Sequence, residues 1–269
     1  MTLFATHRSR GLWLLSLLVV VIALIGARAE AQVLPTWDHY KLYLAGPPIP
    51  ANIPVVLDDQ FMHNQPHMVQ FLERWMNPVE KRLPEGLVFG ITKPFLHYTW
   101  WRIDPAPFTA TAVVTNQFGD QTLTIHDALW LLNPALKNQS GPPPNENHYK
   151  CYLCDGQPVT KQVLLTDQFD QWSAQVLFPR YFCNPAEKRV GPVPGGQVYP
   201  IIDPNQHYVC YEFQPPDPQA FPAVISDQFI QPPQTIDAHN SQWLCVPTFK
   251  QSWTANEKNT WGKLKQLYR

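Results

Sequence analysis

Glycine is scarce in this chain and proline is not: 12 glycines stand against 29 prolines in 269 residues. Proline at that density excludes long helices and leaves short strands joined by stiff turns. Long apolar runs are few as well. After the stretch from Leu12 to Ile25 none of similar length follows, so no second membrane-length segment is expected. The chain has no Gly-x-Ser-x-Gly elbow, no His-Glu-x-x-His, no phosphate-binding glycine loop and no dinucleotide fingerprint. Those absences argue against an enzyme, so no catalytic residue and no cofactor are assigned.

The N-terminus bears on the compartment. Arg8 and Arg10 precede the apolar run, and Ala27-Arg28-Ala29 or Ala29-Glu30-Ala31 supplies a small-x-small cleavage pattern, which predicts a signal peptide over residues 1–29. The expected product is secreted, periplasmic or held at the cell surface. An uncleaved anchor starting at Gly11 is the alternative, and only then would a membrane be a partner. Without residues 1–29 the chain carries 17 basic and 21 acidic residues, a formal charge of −4, so nucleic acid is not an expected partner.

What is present is a phrase repeated four times. The copies read HYKLY…DQF…WMNPVEK, HYTWW…NQF…LLNPALK, HYKCY…DQF…FCNPAEK and HYVCY…DQF…LCVPTFK, opening at His39, His97, His148 and His207. One structural unit has been copied, and its fold must explain most of the chain. Each opening alternates like a half-buried strand: Tyr149 and Cys151 share one face, while His148, Lys150 and Tyr152 share the other. The middle phrase closes a β-branched run such as Val55-Val56-Leu57, and a third apolar segment precedes the close, as in Ala174-Gln175-Val176-Leu177-Phe178. The prediction is an all-β chain of tandem repeats, about three short strands each, forming β-sandwich-like domains.

The cysteines support this register. Alignment of the copies sets Cys151 with Cys210 and Cys183 with Cys245, which predicts disulfides Cys151–Cys183 and Cys210–Cys245 in an exported protein. Each closes a loop of a little over 30 residues, worth roughly 3 to 4 kcal/mol in the loop-entropy model. The same slots hold Leu42 with Met76 and Trp100 with Leu132, as expected if both positions touch in a core. Cys154 is left over, either as a partly buried thiol or for an intermolecular bridge; pairing with Cys183 is a further alternative.

The order HYxCY, then DQF, then LCNPxxK resembles a bacterial secreted tandem-repeat domain of unknown function, over roughly residues 37–250. The resemblance implies a small β-rich, disulfide-tolerant extracellular module and brings no activity with it.

Candidate sites have competing structural explanations. Four equivalent histidines invite a metal reading, but each sits in its own copy without nearby Cys/His spacing, so no metal is assigned and a strand-orienting role is preferred. The turn acid is Asp59, Asp167 and Asp227 but Asn116 in copy 2, which fits a side chain accepting backbone hydrogen bonds. The constant Phe then anchors that turn, and the constant Gln is expected to satisfy a backbone group. Trp37, Trp172, Trp243 and Trp253 have no counterpart in other copies and are the candidate binding aromatics.

The expected layout is residues 33–137 as a β domain of copies 1 and 2, and 145–250 as a disulfide-bearing domain of copies 3 and 4. Pro142-Pro143-Pro144 is the boundary, and 251–269 is a tail with a short helix over Trp261, Leu264 and Leu267. The expected function is a non-catalytic structural or adhesive module that binds an extracellular protein, a polymer or its own copies. A glycan-binding module using exposed tryptophans is the alternative.

Overall fold

The computed structural model describes residues 36–139, 141–191 and 195–256. The predicted signal peptide and the helix over Trp261, Leu264 and Leu267 lie outside those residues. The described residues form thirteen strands and no helix. Copy 1 contributes β1 (His39–Gly46), β2 (Pro50–Asp59), β3 (Gln65–Arg82) and the short β4 (Val88–Phe89). Copy 2 contributes β5 (His97–Ala106), β6 (Ala110–Asn116) and β7 (Gly119–Lys137). Copy 3 adds β8 (His148–Asp155), β9 (Lys161–Thr166), β10 (Gln171–Val190) and the short β11 (Gln197–Tyr199). In copy 4 opening and second strands run together as β12 (His207–Ser226), followed by β13 (Gln234–Ala255).

Every opening strand pairs antiparallel with two long strands, its own and that of the copy before. Thus β5 lies between β3 and β7, β8 between β7 and β10, and β12 between β10 and β13. The first opening strand lies between its own β3 and the last long strand, β13, which closes the ring. Closure removes the open edges that a linear array would expose.

The alternation read from the sequence decides what fills the ring. Tyr40, Tyr98, Tyr149 and Tyr208 point inward and meet edge to face in a closed square, with centroids 5.5, 5.6, 5.4 and 5.7 Å apart. Such pairs contribute about 0.5–1.5 kcal/mol each beyond area burial. Below them lies the layer of Leu42 beside Met76, Trp100 beside Leu132, and the two disulfides, Cys151–Cys183 and Cys210–Cys245. Their Cα atoms are 4.1 and 3.8 Å apart. The predicted pairings are therefore those present, and the apolar pairs of the first two copies occupy the same slots.

Two residues earlier on each long strand sit Arg74, Trp130, Tyr181 and Trp243. The Arg74 guanidinium is boxed by the other three rings at 4.9, 4.8 and 4.4 Å, and Glu73 pairs with it at 3.0 Å. One copy supplies the cation and three supply its walls.

The second strand of each copy leaves the ring and bridges to the copy opposite. β2 joins β3 to the end of β10, β9 joins β10 to the end of β3, and β6 joins β7 to the end of β13. In copy 4 the second half of β12 joins β13 to the end of β7. Two outer cores form beneath these bridges, one containing Leu123, Tyr152, Val176 and Phe213, the other Leu57, Trp75, Trp101 and Ile225.

This arrangement corrects three expectations. Pro142–Pro144 does not separate two sandwich-like domains, because β7 and β8 pair across it from Thr124↔Asp155 to Leu132↔Tyr149; two copies alone would leave half a ring. Residues 251–255 are not tail but the end of β13, paired with β6. Cys154 is not partly exposed: it is buried in an outer core, its thiol pushed up by burial, so no second chain can reach it in the folded state.

Candidate functional site

The constant residues of the phrase meet in four buried junctions, each built from three copies. The turn acid starts each one. Asp227 Oδ1 accepts the backbone N–H groups of Phe229 and Ile230 at 2.7 and 2.8 Å, closing the turn as the sequence predicts. Its other oxygen reaches into copy 2, where Thr99 Oγ1, Trp101 Nε1 and Asn133 Nδ2 donate at 2.5, 2.8 and 3.2 Å. Copy 3 supplies the last member. Lys188 donates to Asn133 Oδ1 at 2.5 Å, with Nζ 4.9 Å from the Phe229 ring centroid.

The same construction rotates around the ring. Asp59 holds the N–H groups of Phe61 and Met62, accepts from Tyr152 and Asn184 of copy 3 at 2.8 and 3.0 Å, and has Lys250 of copy 4 close by. Lys250 donates to Asn184 Oδ1 at 3.2 Å and lies 4.6 Å from the Phe61 ring. Asp167 holds Phe169 and Asp170, accepts from Tyr43 of copy 1 at 2.7 Å, and Lys137 of copy 2 lies 3.9 Å from the Phe169 ring.

In the fourth junction the acid is Asn116. It still accepts from the Phe118 N–H at 2.9 Å, but its amide donates to the Tyr211 hydroxyl at 2.9 Å and to Thr248 at 3.2 Å, and Tyr211 donates onward to Gln121. Copy 4 has Val246 where the others have Asn, and Thr248, to which Asn116 donates, itself donates to the Val246 carbonyl, so the two departures from the phrase, 130 residues apart, belong to one network. Lys81 completes this junction. Its Nζ lies 4.7 and 4.3 Å from the Phe118 and Phe89 rings and has no hydrogen-bond partner among the described residues.

Burial sets the electrostatics. It holds Lys188 well below the ordinary lysine value and brings Lys81 down to about 6, while Lys137 and Lys250 come down to about 8. Asp59 is raised, again chiefly by burial. Burial also lowers all four opening histidines, His97 to about 3, and the positive charge of each copy's own closing lysine lowers them further.

Each histidine lies against an aromatic ring: His39 on Phe89, His97 on Trp75, His148 on Tyr199 and His207 on Phe182. They do not converge, and among the described residues no cluster of three or more His, Cys, Asp or Glu could hold a metal ion. The constant glutamine differs from expectation. Only Gln60 donates to a backbone carbonyl, that of Pro204, whereas Gln117 meets His39, Gln168 meets Asn77, and Gln228 meets His148 at 3.2 Å.

The candidate binding aromatics are not assembled into a platform. Trp243 is buried against Arg74 and Tyr181, a correction that follows from its inward position on β13. Trp37 packs edge-on to Phe249, and Trp172 is half-buried with its N–H donated to the Pro215 carbonyl. Only Trp253, 37% exposed beside Phe61, fits the exposed aromatic that was expected. The closing Lys and Asn were the residues that sequence reasoning passed over. Lys81, Lys137, Lys188 and Lys250 stand in every copy, and that constancy was the available signal.

A family model described as a repeat of unknown function (DUF7450) matches residues 97–247, from the opening histidine of copy 2 to the closing proline of copy 4. No curated protein and no solved structure matches the chain. With more than half of its length matched, and with the shared phrase spent on joining copies, this chain belongs to the DUF7450 family of repeats of unknown function.

Proposed function

We propose that the chain is an extracellular, non-catalytic interaction module, a rigid ring of repeats that presents variable connections to a protein or polymer partner. The observation that carries this reading is where apolar surface is left. Leu87, Val88 and Phe95 lie in the connection from copy 1 to copy 2, and Val198 and Ile202 in that from copy 3 to copy 4; Phe95 is 66% exposed. Exposed large apolar groups gathered in particular segments mark interaction surfaces.

These connections are held alike. Asp38 accepts the N–H groups of Thr92 and Lys93, both at 2.7 Å, and Asn147 accepts those of Ile202 and Asp203 at 2.7 and 3.0 Å. Asp38 and Asn147 directly precede the opening histidines of copies 1 and 3, so both connections are fixed at the tyrosine end of the ring. Two apolar segments on a rigid frame need little ordering on binding. The two disulfides are consistent with an oxidising exterior.

The test is capture from the native extracellular fraction with the wild-type chain and a Phe95→Ser/Ile202→Ser variant. Loss of the captured partner supports the reading. Capture that survives that variant, but is lost with Trp253→Ala and competed by a glycan, would replace it with sugar binding.

A further inference from the structure

The junctions place an amine, a carboxamide and a carboxylate together twice in nearly the same way, once fully buried and once with a partly buried lysine. Lys188, Asn133 and Asp227 are all fully buried. The Lys188 amine touches the Asn133 carbonyl oxygen at 2.5 Å, and the nitrogen of that amide donates to Asp227 at 3.2 Å. Rings of Tyr199 and Phe229 flank Nζ at 4.9 Å. In the second instance Lys250 reaches Asn184 at 3.2 Å and Asn184 donates to Asp59 at 3.0 Å.

We propose that the chain cross-links itself by an amide bond between Lys188 Nζ and Asn133 Cγ, with Asp227 transferring protons, and by a second between Lys250 and Asn184 beside Asp59. The lone pair of the uncharged Lys188 amine attacks Cγ of Asn133 to form the new C–N bond. Collapse of the tetrahedral adduct breaks the bond from Cγ to Nδ2. One proton passes from the lysine nitrogen to the departing nitrogen by way of Asp227, which already accepts from that nitrogen at 3.2 Å. Ammonia leaves, and no oxidant, reductant or co-reactant is needed.

Three features favour the step. The fold holds nucleophile and electrophile in contact, which supplies the proximity that a bimolecular aminolysis lacks. Burial favours the uncharged amine, the nucleophilic form, in both lysines. The carboxylate accepts from the leaving amide nitrogen in both sites, where general acid–base transfer must occur.

The remaining junctions serve as internal controls. Lys81 lies over the Phe118 ring in the junction whose closing slot is Val246 and whose turn residue is Asn116, so it meets neither the carboxamide nor the carboxylate of the phrase. In the Lys137 junction the Asn77 carbonyl oxygen is taken by Gln168. Two bonds are expected, not four.

The experiment is intact mass of the full chain after disulfide reduction, with peptide mapping. The expected result is the loss of two ammonia molecules, with a peptide containing Lys188 joined to one containing Asn133, and another joining Lys250 to Asn184. Lys188→Arg and Asp227→Asn should each lack the first link and keep the second. Asn is tolerated at the turn position, as Asn116 shows, so the Asp227→Asn variant tests the carboxylate and not the turn. A folded, disulfide-bonded wild-type chain with its full sequence mass overturns the proposal. So does a link at Asn133 that persists in Lys188→Arg, or a map in which only Lys250 is joined. The result is independent of capture by the apolar connections.

Discussion

The junctions around Lys188 and Lys81 occupy equivalent places in the ring and are built differently. One has an amide on its lysine and a carboxylate that accepts from that amide and from two further donors; the other has Val246, an amide in place of the acid, and a lysine without a hydrogen-bond partner among the described residues. Both junctions are folded, so the phrase does not require its charge at every position. The acid's turn-closing oxygen is retained in all four copies, whereas its second oxygen is replaceable when the opposite copy changes with it. Backbone donors leave no alternative to an acceptor, while a side-chain contact can be inverted by exchanging an acceptor for a donor.

The largest way to sharpen this contrast is Asp227→Ala. It strips the acceptor from two backbone N–H groups and from the buried Thr99, Trp101 and Asn133 donors, so urea unfolding should show a loss of about 3–5 kcal/mol. Asn116→Ala in the neutral junction should cost less, about 1–2 kcal/mol. Equal losses would break the comparison. The disulfide layer offers the next test: Cys210→Ala with Cys245→Ala should lower stability by about 3–4 kcal/mol. Cys210→Leu with Cys245→Met, which copies the Leu42 and Met76 pair, should restore part of that loss in the same thermal melts.

The smallest effect per pH unit belongs to Lys81. Its folded value is about 6 against an ordinary 10.5, so the unfolded chain binds a proton in that window that the folded chain does not. Lys81 therefore adds a rise in stability with pH between those values, of at most about 1.4 kcal/mol per unit beside the contributions of Lys188, Lys137 and Lys250, and its full cost is present below 6. Lys81→Met should reduce this slope in urea midpoints. It should leave a separate loss as pH falls below 6.5, where the opening histidines, His97 at about 3 among them, must charge in order to follow the unfolded chain.

Much of the fold was legible because local pattern carried it. Alternation placed Tyr149 and Cys151 on the inner face and Tyr152 on the outer, and joint replacement of cysteines by Leu42/Met76 and Trp100/Leu132 identified the touching pairs. The turn acids were legible because Asn could replace Asp. The junctions were not, because periodicity tells which face a side chain takes and not which copy lies opposite. Trp243 read as a free aromatic until its neighbours around Arg74 were in place. The boundary at Pro142–Pro144 failed for a related reason: a stiff polar spacer looks the same whether it separates domains or spans two strands of one ring.

The sequence by itself determined the strands, their inner and outer faces, the disulfides and the turn chemistry, since each depends on residues within one copy. Only the tertiary structure decided that the four copies close into a ring, that each acid answers to the copy opposite and each lysine to the copy after, and that Asn116 and Val246 belong together. Those are long-range pairings. They are fixed by closure of the hydrogen-bonded ladders and by burial of three copies' polar groups in one place, neither of which leaves a local mark.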